Sequence, residues 1–285
     1  MKKECEHKSQ KEVIKSSNYL YKLYNQKAID FVKEKGIFDV VDRFLGETSY
    51  GLLFCKLNEL YALEFLRWMQ YLIIPVYEFS FLKDKIIKGF KNNIILDSVV
   101  SLEKNKSGYS IKTNHGKEYY TKNVVIATPP HISQKLLKLK SIKKPAKAYM
   151  FHIQGKINNT FSNVNFQFFH ESGKLFDIAL QSDGTYLFYC GYPNPKLSQY
   201  FTEYKIIEKH NWNPAFNIKG KVLLDCKQSN NLYLIGDHNI CGMEDAFITG
   251  LYAANQILIK YFSNTNIYKS KLISKVKKKR CVREI

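Results

Sequence analysis

Residues 231–262 read NLYLIGDHNICGMEDAFITGLYAANQILIKYF, and more of the fold hangs on this stretch than on any other. Leu232 to Ile235 is a short apolar run suited to a buried strand. Gly236 and Asp237 leave it, and a long helix is predicted from about Met243. On that helix Ala246, Gly250, Ala253 and Ile257 recur at spacings of four, three and four, so they share a face. Three of these residues are tiny, which predicts close approach of the helix axis to a neighbouring sheet or helix, with Gly250 at the contact. A strand–loop–helix unit of this kind aims its first helical N–H groups, and the positive end of the helix dipole, into the crevice beyond the strand's carboxyl end. Electron-rich ligands settle in such crevices.

Working outward, Asn93 to Leu102 (NIILDSVVSL) reads as a strand. Gly108 to Thr121 alternates Tyr109, Ile111 and Thr113 before an Asn114-His115-Gly116 turn, which is hairpin chemistry. Val124 to Ala127 is an apolar strand of the doubly buried kind, stopped by Pro129 and Pro130. If it neighbours the 232–235 strand, then Ala127, Thr128 and Asp237 share one crevice. Residues 10–90 look mainly helical, with stripes at Leu20, Tyr24, Ala28, Phe31 and Val32 and at Leu63, Leu66, Met69, Gln70 and Ile73. Between 145 and 206 the strand-like runs are Ala146–Ile153, Asn165–Phe169 and Thr185–Cys190.

The run Gly236-Asp237, Gly242-Met243-Glu244-Asp245-Ala246, Thr249-Gly250-Leu251, Ala253-Ala254 resembles the C-terminal flavin-binding motif of the flavin-containing amine oxidoreductases. That superfamily includes monoamine and polyamine oxidases, protoporphyrinogen oxidases and phytoene-type desaturases. The resemblance implies FAD as cofactor, with Gly236 and Asp237 at its ribityl–pyrophosphate part. Gly242, Met243, Glu244 and Ala246 would cover the flavin's N1–C2 carbonyl edge, the Met243 amide facing the pyrimidine. Val99 is the counterpart of the Val whose main chain meets the adenine, and Ala127 and Thr128 end a strand against the cofactor. Asn211 to Phe216 is similar to the Trp-x-x-Ala segment of protoporphyrinogen-oxidase-like members, with Trp212 read as a core anchor. Asp245 stands where the family has Gly. It and Glu244 read as surface acids matched to the helix dipole.

The implied fold class is α/β (α+β), a partial FAD/NAD(P)-binding Rossmann-like domain interleaved with a helix-plus-mixed-sheet substrate domain. Residues 10–90 would be the helical part of the substrate domain, 91–140 the cofactor-side strands and 141–215 the substrate-domain sheet. Residues 216–262 would be the flavin-binding unit and 263–285 a basic tail. The implied activity is hydride transfer from a C–N or C–C bond of a small-molecule substrate to flavin. No residue stands out as catalytic, which suits chemistry carried by the isoalloxazine ring.

One part of the family pattern is missing. The superfamily opens with a βαβ unit bearing G-x-G-x-x-G, whose glycines let the backbone approach the pyrophosphate. Here no glycine precedes Gly36, and Ile74 to Phe79 stands where a further glycine pair belongs. The expectation is therefore a truncated or split form that binds FAD weakly or not at all alone, with a separate chain supplying the dinucleotide-binding part. The competing readings are a non-catalytic relative serving as an interaction module and a basic protein for nucleic acid or membrane surfaces.

The formal charge of +19 favours that last reading, but only Arg43, Arg67, Arg280 and Arg283 are arginine among 44 basic residues. Nucleic-acid recognition favours arginine's fork, so no sequence-specific nucleic acid is expected. The one dense cluster, Lys269 to Arg283, reads as a solvated tail able to touch an acidic membrane. Six cysteines without C-x-x-C spacing fit free thiols in a reducing cytoplasm. The seven histidines show no metal-ligand spacing, and His238 reads as a solvent-exposed loop residue. Leu60 to Tyr77 is interrupted by Glu64, Arg67 and Pro75, so no transmembrane span is expected.

Overall fold

The computed structural model describes residues 4–72, 82–161 and 165–262. The front of the chain is helical: α1 (Gln10–Ser16), α2 (Asn18–Asn25), α3 (Ala28–Glu34), α4 (Phe38–Leu53), α5 (Ala62–Leu72) and the short α6 (Lys83–Ile87). Ser9 starts α1 with a capping box, its hydroxyl accepting from the Glu12 N–H while the Glu12 carboxylate accepts from the Ser9 N–H. Ser17 caps α2 in the same way from one side. The apolar faces of α2 to α5 bury Leu23, Phe31, Val32, Val41, Leu53, Leu63 and Phe65 against Ala146, Ala148, Phe176 and Ile218 of the sheet described below.

A hairpin sheet follows, β1 (Val99–Lys104), β2 (Tyr109–Thr113) and β3 (Glu118–Thr121), turned at Asn114–Gly116 as its chemistry predicts. Next come β4 (Val124–Ile126) and α7 (Pro130–Leu137). The prolines that end the strand also open the helix, since a first-turn position needs no N–H. The large sheet contains β5 (Lys144–Ile157), β6 (Phe166–Phe168), β7 (Leu175–Leu180), β8 (Tyr186–Cys190) and β9 (Phe201–Lys219). Its order is β6-β7-β8-β5-β9, antiparallel throughout. The chain closes with β10 (Lys227–Ser229), β11 (Leu232–Leu234) and α8 (Met243–Phe262).

Mixed pairing falls in the small sheet β10-β11-β4, where β10 is antiparallel and β4 parallel to β11. One face of this sheet buries Val124, Ile126, Leu232 and Leu234 against Tyr109, Ile111 and Leu136. The other buries Tyr233 against Tyr252 and Ala253 of α8. The α/β (α+β) class read from the sequence is the class observed. The expectations for Ile73, for 74–79 and for the tail from 263 lie outside the described residues.

α8 begins at Met243 as predicted, but its buried face is Asp245, Ile248, Thr249, Tyr252 and Ala253, one residue round from the small-residue stripe. Two polar residues on a buried face are invisible to a hydropathy pattern. Gly250 does face the strand, where a Cβ would meet Ile235 Cδ1 at 3.7 Å. That is ordinary contact, so the packing does not require a glycine.

Candidate flavin-side site

β4 and β11 run side by side, Leu232 opposite Val124, Tyr233 opposite Val125 and Leu234 opposite Ile126. The ladder closes with the Ile235 N–H on the Ile126 carbonyl at 2.9 Å. Ala127 and Thr128 therefore leave the sheet beside Gly236 and Asp237, and the loop from Asp237 delivers Gly242 and Met243 to the foot of α8. The sequence reading required this neighbourhood.

The exit is held by Thr249, whose hydroxyl accepts from the Gly236 N–H at 2.9 Å. Gly236 has φ +128°, and a Cβ there would lie 3.2 Å from His238 Nε2. Gly242 has φ +148°. Both positions favour glycine and leave bare backbone at the crevice. Ala127 and Met243 are exposed on its open side, while Thr128 is tied to α7 through Ser133, 2.9 Å between hydroxyls. Asp237 is half-buried and accepts from the Cys241 thiol at 3.6 Å. Val99 sits in the hairpin sheet rather than in the sheet of β4 and β11, exposed opposite Thr113.

Two readings of polar residues are corrected. His238 is buried, with 6% of its surface exposed, not a solvent-facing loop residue. Its Nε2 lies 3.2 Å from the Ile235 carbonyl, and burial lowers its pKa against the pull of Asp237. Asp245 is not a surface acid either: it is fully buried. Its carboxylate accepts from Gln10 Nε2 at 2.9 Å and Arg67 Nε at 3.2 Å, and Arg67 also pairs with Glu244. Burial raises the Asp245 carboxyl to about 6, with Arg67 opposing.

A second buried pair sits beside it. Glu64 meets Lys143 at 2.7 Å and accepts from the Cys241 N–H at 2.7 Å. Burial raises the Glu64 pKa against the pull of Lys143. Burial likewise pushes the Cys241 thiol up, so it is a neutral, inert group. Together the two pairs clamp the loop and the foot of α8 onto α5. Sequence reasoning saw Glu64 and Arg67 only as breaks in an apolar run. Their spacing of three on α5, facing an unexpected acid at 245, was the signal available.

The cavity lined by Gln10, Leu224, Gly236, His238 and Thr249 has about 10 Å³, the size of a water and far short of a flavin. On the open side the bare backbone of Gly236 and Gly242 lies with exposed Ala127 and Met243. A glycine-rich pyrophosphate cradle is absent among the described residues. So is any group of His, Cys, Asp and Glu able to hold a metal.

No protein-family model matches the chain, and no curated protein matches it in sequence. Solved structures do match. An oxidoreductase from Methanosarcina mazei aligns over 87% of this chain and 71% of its own, with 10% identity and TM-score 0.54. A protein assigned as a protoporphyrinogen oxidase, from Exiguobacterium sp. 255-15, aligns over 83% of this chain and 68% of its own, with 12% identity and TM-score 0.52. The fatty acid isomerase of P. acnes that produces CLA aligns over 83% and 66%, with 9% identity and TM-score 0.54.

The chain shares its fold with these three structures. At these identities the likeness is one of fold. No described helix is long and apolar enough to cross a membrane.

Proposed function

We propose that the chain forms the flavin end of an FAD-dependent oxidoreductase, and that a β–α unit outside these 285 residues supplies the pyrophosphate end. The observation that carries this reading is the parallel β4–β11 pair, which brings Ala127, Thr128, Gly236 and Asp237 together at the foot of α8. When bound, the flavin supplies the hydride acceptor for a C–N or C–C bond of a small-molecule substrate. The glycines at 236 and 242 admit close approach, the Met243 amide meets the pyrimidine edge, and Asp237 accepts a hydrogen bond from the ribityl region. The buried clamps of Arg67 and Lys143 hold these groups in place. Val99 meets the adenine end once the second unit is seated.

Two surface features support the missing-unit part of the reading. β4 is an edge strand of the small sheet, and Val125, on the α8 side, is 41% exposed. Met243, Phe247, Leu251, Leu258 and Tyr261 form an exposed apolar flank along α8, and the Tyr261 hydroxyl accepts from Asn123, beside β4. A parallel strand added to β4, with its helix laid beside α8, covers both. A non-catalytic scaffold is the second reading, favoured by Glu244 and Asp245, two acids that disfavour an anion at this helix start.

The test uses the assembled protein, with a G-x-G-x-x-G unit supplied and FAD loaded. Asp237→Ala is expected to lower flavin retention well below that of His238→Ala, because only Asp237 faces the cofactor. Equal retention in both variants sinks the assignment of Asp237.

A further inference from the structure

β9 is an edge strand 19 residues long, and Thr202 to Lys209 are exposed throughout. Tyr204, Ile206 and Ile207 remain 44–48% exposed. Such an edge presents a row of unpaired N–H and C=O groups, and proteins ordinarily blunt or cover it. Three features of this one say what covers it.

The first is local charge. In a chain of formal charge +19, the segment Glu203-Tyr204-Lys205-Ile206-Ile207-Glu208-Lys209 sums to zero. Two copies that repel elsewhere can approach here. The second is a bulge: Glu208 lies opposite His152 of β5 and Ile206 opposite Ile153, leaving Ile207 as the extra residue. Lys205 lies opposite Gln154, Glu203 opposite Lys156 and His210 opposite Met150. The bulge thus puts Glu203, Lys205, Glu208 and His210 on one face, as the 2.8 Å pair between His210 and Glu208 shows. Tyr204 and Lys209 share the other face. The third is the palindrome those positions make about the Ile206–Ile207 step.

We propose that β9 pairs antiparallel with β9 of a second copy about a two-fold axis at Ile206–Ile207, joining two five-stranded sheets into one. Lys205 of each copy meets Glu208 of the other, and Glu203 meets His210, all on one face. Tyr204 meets Lys209 on the opposite face, and the isoleucines meet at the axis. A one-residue slip breaks the match of faces and, in one direction, sets Lys205 against Lys209. This interface is independent of the flavin-side reading, since it lies on the large sheet.

Light scattering on the full chain, with Lys205→Glu, Glu208→Lys and the double variant, tests it. The unaltered chain should be a dimer. Each single swap replaces two attractive cross-strand pairs with repulsive ones and should weaken the dimer about tenfold or more, and the double swap should restore it. Lys227→Glu, on β10, should leave the dimer unchanged. Both swapped residues are exposed, and circular dichroism checks the fold. A monomeric chain, a dimer indifferent to either swap, or a double variant that stays weak overturns the proposal.

Discussion

Asp177 carries the largest pH effect on stability that can be worked from a single residue. It lies in β7 opposite Tyr189, with 6% of its surface exposed. The Tyr189 ring stacks on Phe54 and leans on Trp212, 5.5 Å between centroids in each case. Burial is the single cause that raises its carboxyl from 3.8 to about 8. From about pH 4 to about pH 8 the native chain therefore holds a proton that the unfolded chain has released. Stability falls as pH rises through that window and levels off above it. About four pH units at about 1.4 kcal/mol each give at most roughly 6 kcal/mol, with about 4 kcal/mol already lost at pH 7. Asp177→Asn keeps the shape and removes the ionisation. Urea unfolding of both proteins across pH isolates the effect as their difference, because every other carboxylate cancels. The variant should match the parent near pH 4 and exceed it by several kcal/mol at pH 8. A difference that does not change with pH refutes the reasoning.

Three other substitutions probe the site's framework. Arg67→Leu strands the buried Asp245 and should cost about 3–5 kcal/mol in denaturant unfolding. A cost under about 1 kcal/mol contradicts the clamp. Gly250→Ala should stabilise by about 0.5–1 kcal/mol, since Ile235 leaves room for a methyl and alanine is the better helix former. A lowered melting temperature would show that the contact is tighter than 3.7 Å. Gly236→Ala should instead destabilise by about 1–3 kcal/mol, because φ +128° strains any other residue and His238 crowds the new methyl. An unchanged melting temperature contradicts that.

What was legible in the sequence was local. The strand–loop–helix at 231–262 and the Asn114–Gly116 hairpin announce themselves by periodicity and turn chemistry, which neighbouring residues set. The apolar run at Val124 identified a strand, which the structure pairs with β11, but not one buried on both faces: β4 lies at the sheet edge and leaves Val125 41% exposed. β9 was missed because both faces of its first half are exposed, so TEYKIIEKHN carries no inside-outside alternation. β7 was missed because LFDIAL is short and holds a buried acid. Asp245 and His238 were misread for one reason: a polar residue looks solvent-exposed until its partners are known. The partners of Asp245, Gln10 and Arg67, are 235 and 178 residues away in sequence. No local pattern carries such a pairing.

The central claim, that this chain holds the flavin end of a site completed from outside it, is tested by visible absorption after equilibration with FAD and removal of free cofactor. The chain should be measured alone and with a β–α–β unit bearing G-x-G-x-x-G. Alone it should retain little flavin, because a dinucleotide gripped only at its ring loses its anion contacts. With the unit supplied, the flavin bands should appear and co-migrate with both components. Stoichiometric flavin on the chain alone, or none in either case with the protein folded throughout, contradicts the account.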